Sequence, residues 1–128
     1  MNTKVKILAV DDSRTIREMI KLTLVNGGCE VCTAVDGIDG LSKIEEFRPD
    51  LVITDINMPN LDGFGVIEKI RSGKICSRVP ILVLTTESGA DLKGKAREMG
   101  ATGWIVKPFE DKKLLDVISL VVTGFKNE

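Results

Sequence analysis

Three aspartates, a threonine and a lysine follow the ends of short apolar runs in this 128-residue sequence: Asp11 and Asp12, Asp55, Thr85 and Lys107. If the chain brings them together, their types define the chemistry. Two like charges at 4 Å repel by about 4 kcal/mol at an effective dielectric of 20, so clustered carboxylates ask for a cation. All-oxygen ligands suit a hard ion, and a site that leaves room for a phosphate favours magnesium (Mg2+) over calcium. Lys107 and Thr85 supply what an anion needs, a mobile positive charge and a hydroxyl donor. The set therefore reads as a phosphoryl-binding site. One carboxylate can be the nucleophile, since aspartate forms a covalent aspartyl-phosphate when a metal neutralises the incoming group. Asp55 is the expected nucleophile, because it ends the run Leu51-Val52-Ile53-Thr54 and a charge ending a buried run needs a reason.

The elements that must position these residues alternate along the chain. Unbroken β-branched and aliphatic runs read as strands covered on both faces, the kind found inside parallel sheets. Strand one is Val5 to Val10. Ser13 is a plausible N-cap for a helix with Ile16, Met19, Ile20, Thr23 and Leu24 inward, stopped at Gly27-Gly28. Strand two is Glu30 to Ala34. Ile38, Leu41, Ile44 and Phe47 then mark a second helix, which Pro49 terminates. Strand three delivers Asp55, and a turn-rich loop from Met58 to Gly63 leads to a third helix with Phe64, Ile67 and Ile70, ending near Gly73.

Strand four is Ile81 to Leu84 with Thr85 at its tip. A fourth helix from about Ala90 to Met99 is weakened at Gly94 by about 1 kcal/mol relative to alanine. Strand five is Gly103 to Val106, and a fifth helix carries Leu114, Leu115, Ile118, Val121 and Val122 inward, leaving only Lys126-Asn127-Glu128 beyond it. Five strands alternating with five helices predict an α/β doubly wound parallel sheet with helices on both faces. Ligands of such sheets bind in the crevice outside the carboxyl ends of the strands, which is where the five polar residues fall.

Composition narrows the partners. With 18 basic and 19 acidic residues and a formal charge of -1, the chain lacks the basic footprint of a nucleic-acid binder. The apolar run near the amino end, Ile7 to Val10, is too short for a signal peptide or membrane span, so a cytoplasmic, membrane-free location is expected. Three cysteines are few for a disulfide scaffold. Cys29 and Cys32 form a C-x-x-C, but on a strand the odd spacing sends them to opposite faces, whereas a redox or zinc pair must converge. Cys76 carries no readable signal.

Asp11-Asp12, Asp55, Thr85 and Lys107-Pro108-Phe109 resemble the signature residues of response-regulator receiver domains over nearly the full chain. The intervals are specific: 30 residues from Asp55 to Thr85, 22 from Thr85 to Lys107, and an M-P-x-x-D-G loop at Met58 to Gly63. The resemblance implies one receiver domain over residues 1–128 with no output domain, in the flavodoxin-like strand order 2-1-3-4-5. That order is known for the chemotaxis receiver CheY and comes with the resemblance. It also implies that Asp55 is the phosphoacceptor, served by a sensor histidine kinase or its phosphotransfer protein. Asp12 would bind magnesium directly, Asp11 largely through water, and Asn57 through its backbone carbonyl. Thr85 and Lys107 would hold phosphoryl oxygens, and the Lys107-Pro108 bond would be cis.

Each residue has a plainer reading: Asp11-Asp12 as a helix cap, Thr85 as a strand residue, Lys107 as a solvated charge, Asn57 as a turn former. Their joint placement at strand ends favours the chemical one. Departures from the family are Trp104, where another switch aromatic is usual, and Thr86, where a smaller residue is usual. Thr86 would restrict access to Asp55, whereas Asn57 with Glu87 resembles the pair in CheY. The switch is expected to run through Thr85 and Trp104 to helix four, strand five and helix five. A monomeric, CheY-like chemotaxis regulator that binds a flagellar motor switch protein or a phosphatase is the leading expectation. A stand-alone relay or phosphate-sink receiver is the alternative. A magnesium-dependent phosphatase with an aspartate nucleophile needs a second acid where Asn57 stands. A receiver of this kind promotes its own phosphorylation and dephosphorylation and is not otherwise an enzyme.

Overall fold

The fold is seen in a computed structural model that describes residues 4–122. The expected tail Lys126-Asn127-Glu128 lies outside the described residues. In chain order the elements are β1 (Lys6–Val10), α1 (Arg14–Asn26), β2 (Glu30–Ala34), α2 (Gly37–Phe47), β3 (Leu51–Thr54), α3 (Gly63–Ser72), β4 (Ile81–Thr85), α4 (Ala90–Met99), β5 (Gly103–Val106) and α5 (Asp111–Val121). The strands form one parallel sheet in the order β2-β1-β3-β4-β5. The expected fold and strand order are both present.

Alternation along the strands divides the core in two. Leu8, Val10, Val52, Ile81 and Val83 face one side, where Ile44 of α2, Ile67 and Ile70 of α3 and Ala96 of α4 cover them. Ile7, Ala9, Ile53, Leu82, Leu84 and Ile105 face the other, under Ile20 and Leu24 of α1 and Leu114 and Ile118 of α5. The three central strands are buried on both faces, which is why their sequences read as unbroken apolar runs. Cys29 joins the second layer and Cys32 packs against the first, so the pair diverges as its spacing predicts.

Some expectations need correction. β1 starts at Lys6, one residue later than expected; Val5 still accepts the Glu30 amide through its carbonyl. Met19 and Ile38 are not inward. They are 46% and 56% exposed, because α1 rests on Ile20, Thr23 and Leu24 and the first turn of α2 is pressed down by glycines instead. A Cβ on Gly40 would stand 2.9 Å from Val10 Cγ2. α2 ends on Arg48 in the left-handed region (φ 52°) before Pro49 is reached. The Lys107-Pro108 bond is cis, as the resemblance implies.

Candidate functional site

Parallel pairing carries the ends of β1, β3, β4 and β5 to one rim. Val10 pairs with Thr54 in register, so Asp11 and Asp55 leave adjacent strands side by side. Thr85 closes β4 opposite Val106, and the Lys107 amide donates to the Thr85 carbonyl at 2.7 Å. One carboxylate oxygen from each of Asp11, Asp12 and Asp55 lies within 4.8 Å of the others. The structure therefore brings together the residues that the sequence places at separate strand ends.

Lys107 lies between two of these acids. Its Nζ donates to Asp11 Oδ2 at 2.7 Å and to Asp55 Oδ2 at 2.9 Å, and all three side chains are nearly buried. Burial works against the charge on Lys107, but its bonds to Asp11 and Asp55 outweigh that and hold its pKa above the ordinary lysine value. Burial pushes the Asp11 carboxyl up, and the bonds from Lys107 and the Ser13 amide only partly offset it. Both Asp11 oxygens are occupied, Oδ1 by the Ser13 amide at 2.9 Å. Asp12 is exposed and has no hydrogen-bond partner among the described residues.

Asp55 is fixed by its neighbours. Its amide donates to the Val10 carbonyl at 3.0 Å, its Oδ1 accepts from the Ile56 amide at 2.6 Å, and the buried Thr54 hydroxyl donates to its carbonyl at 2.8 Å. The Asp62-Gly63 pair then turns the chain into α3. Asp62 caps the Gly65 amide at 2.8 Å, and a Cβ on Gly63 would strike the Asp55 carbonyl oxygen. A glycine is required there by close backbone approach.

The far side of the rim is the β4–α4 loop. Thr85 is fully buried, and its hydroxyl oxygen accepts a long bond from the Glu87 amide (3.4 Å), which leaves its own hydrogen to donate. Asn57 Nδ2 donates to Glu87 Oε1 at 3.0 Å, so the side chain expected to influence hydrolysis is paired with the residue expected beside it. Trp104 is half-buried, and its indole N–H donates to the Glu87 carbonyl at 2.9 Å. Thr86 is exposed at the loop's start. Sequence reading missed Arg17, whose guanidinium donates to the Asp11 carbonyl at 2.7 Å. An arginine in an exposed helical turn gives no sign that it reaches back to the rim.

Hard oxygen donors at this separation, with one carboxylate exposed and uncommitted, fit a magnesium ion. A model described as the response regulator receiver domain matches residues 7–119. The chain belongs to that family. It is thus a receiver of the two-component type.

Protein PilG of Pseudomonas aeruginosa is 36% identical over 120 residues, which span 94% of this chain and 89% of that one. The chemotaxis protein CheY4 of Vibrio cholerae is 42% identical over 94% of this chain and 100% of its own, with a TM-score of 0.90. The receiver domain of sensor histidine kinase PA1611 from P. aeruginosa, whose structure has magnesium coordinated in the active-site cleft, is 27% identical with a TM-score of 0.85. That similarity covers 93% of this chain and 98% of the PA1611 domain. Other relatives are about twice as long, and the chain spans 44% of a probable transcriptional regulator of Guillardia theta. No helix among the described residues is long and apolar enough to cross a membrane.

Proposed function

We propose that Asp55 is the phosphoacceptor of this receiver and that phosphorylation controls binding of a protein partner. The observation that carries this reading is the Lys107 ammonium held at 2.9 Å from the Asp55 carboxylate inside an acidic cluster. A cation with bonds to two carboxylates can exchange one for a phosphoryl oxygen without losing its charge balance.

In the reaction, an Asp55 oxygen bonds to phosphorus as the phosphorus–nitrogen bond of a phosphohistidine donor breaks. The bonding pair passes to the imidazole nitrogen, and Asp55 becomes a mixed anhydride. Thr85 donates its free hydrogen to a phosphoryl oxygen and Lys107 pairs with another. Asp12 and Asp55 by carboxylate, Asn57 by carbonyl, and Asp11 through water would hold magnesium, a division that suits the occupied Asp11 and uncommitted Asp12 oxygens. A bound magnesium ion supplies charge neutralisation to the incoming phosphoryl group. Asn57 and Glu87, already paired, are placed to govern water at the acyl phosphate, so the chain governs its own phosphorylation lifetime.

Donation by a sensor histidine kinase or phosphotransfer protein follows from the receiver family. Readout through chemotaxis-type partner binding is supported by the full-length similarity to the chemotaxis protein CheY4. Incubating the protein with magnesium and acetyl phosphate should add one phosphoryl mass, absent in Asp55→Asn. Equal labelling of the two proteins would reject Asp55. Binding of the labelled form to a flagellar switch protein, rather than only to a phosphotransfer protein, would separate motor control from relay.

A further inference from the structure

We propose that Asp36 is a positioning residue for the cation site, acting by holding Asn60 and with it the β3–α3 loop that carries Asn57. The inference rests on the magnesium reading above and extends it to a residue on a different helix.

Asp36 uses its two oxygens differently. Oδ1 caps α2 by accepting the Asp39 amide at 2.8 Å, and Oδ2 accepts Asn60 Nδ2 at 2.7 Å across 24 residues of sequence. Asp39 reciprocates by accepting the Val35 amide at 3.0 Å, so Asp36 is held by the start of its own helix. The loop is pressed against the same turn. A Cβ on Gly37 would lie 2.9 Å from Leu61 Cβ and 2.5 Å from the Leu61 carbonyl oxygen. Asn60 itself is left-handed at φ 69°, a conformation asparagine tolerates.

Between Asp55 and α3, side chains tie the loop outward at two places among the described residues: Asn57 to Glu87, and Asn60 to Asp36. The first tether ends on Glu87 in the β4–α4 loop, which leads into a helix with no side-chain cap. The second ends on a capped helix, so of the two side-chain tethers it is the one with a fixed reference. Partners bonded directly to a metal ligand cost about tenfold or more in affinity when lost. Asp36 acts further out, through Asn60, so a smaller loss is expected.

The test measures magnesium affinity of the full chain by calorimetry, with thermal unfolding recorded for each variant. Asn60→Gly keeps the left-handed backbone and the α2 cap while removing the tether, and should weaken binding a few-fold, less than the roughly tenfold loss of a direct partner. Asn60→Asp sets a carboxylate against Asp36. Its extra negative charge alone would tighten cation binding, so weaker binding identifies positioning. The swap Asp36→Asn with Asn60→Asp restores a donor–acceptor pair and keeps an N-cap residue, and should recover most of the affinity. Equal or tighter binding in Asn60→Asp, or no recovery in the swap, would overturn the proposal. If Asn60→Gly does not fold, the single-versus-swap comparison still decides. Wild-type protein that binds no magnesium would remove the underlying reading first, before any variant is compared.

Discussion

At the carboxyl end of α4, Gly100 is left-handed (φ 111°), and its carbonyl is gripped by Arg71 through Nε at 3.0 Å and Nη2 at 2.8 Å. The same guanidinium donates to the carbonyls of Ser77 and Val79 at 2.9 and 2.6 Å, and the Thr102 hydroxyl accepts from the Ile81 amide. At the amino end, beside the rim, Gly89 caps the helix with no side chain, and a Cβ on Gly89 or Gly94 would meet nothing within 4 Å. Only Ala96 of α4 is fully buried. The contrast teaches where motion is cheap. A change at the rim would meet little resistance at the near end of α4 and a fixed point at the far end, so any displacement of the helix is expected to pivot about Gly100.

Breaking the fixed point should have the largest effect. Arg71→Met would leave three backbone carbonyls without their cation, and we expect a loss of about 3 kcal/mol in urea unfolding. A loss below about 1 kcal/mol would show that the clamp is not what fixes this end. Alkali should act at the rim instead, on the pairs of Lys107 with Asp11 and Asp55. Lys107 has a folded-state pKa above its ordinary 10.5, so its contribution is complete below that value and disappears as pH rises through the raised one. Burial lowers the Arg71 pKa, but a guanidinium keeps its charge in proteins, so Lys107 is the group that alkali reaches first. Trp104 fluorescence should therefore change before the helical signal does, and the chain has no tyrosine to confuse the reading. Simultaneous loss of both signals would refute the separation. Trp104→Phe, which removes the bond to the Glu87 carbonyl and part of the ring packed against the first core layer, should cost about 1 to 2 kcal/mol. It should also speed amide exchange in residues 86–89 while leaving residues 97–102 unchanged.

The chemical rim was more legible than these supports. Asp55, Thr85 and Lys107 announce themselves because buried strands tolerate no charge until the chain leaves the sheet, so a polar residue marks each exit. The C-x-x-C was legible for a similar reason, since period two decides which face each thiol takes. Helix faces were harder. Met19 and Ile38 fit an apolar stripe, and only the packing shows that Met19 drops out of it and that two glycines take the inward places of α2. Arg71 looked like any basic residue in a last helical turn, and Arg17 and Asn60 like surface residues; Trp104 was expected as a switch aromatic, but its bond to the Glu87 carbonyl was not. Their partners lie 6 to 29 residues away, at distances set by how segments meet and not by any local pattern.

The soft end can be stiffened without touching the rim. Gly94→Ala should add about 1 kcal/mol, because the position is mid-helix, exposed and sterically open. Gly89→Ser is the smallest change. The backbone at Gly89 is already extended (φ -65°, ψ 138°), as an N-cap requires, so a serine oxygen can accept a first-turn amide with no rearrangement. A gain of a few tenths of a kcal/mol is expected. Its value as a test lies in the second readout. If the loose amino end is what moves, Gly89→Ser and Gly94→Ala together should shrink the Trp104 fluorescence change on treatment with acetyl phosphate while leaving labelling of Asp55 intact. An undiminished change would mean that the rim transmits through β5 and α5, and that the weakness of α4 serves no transmission.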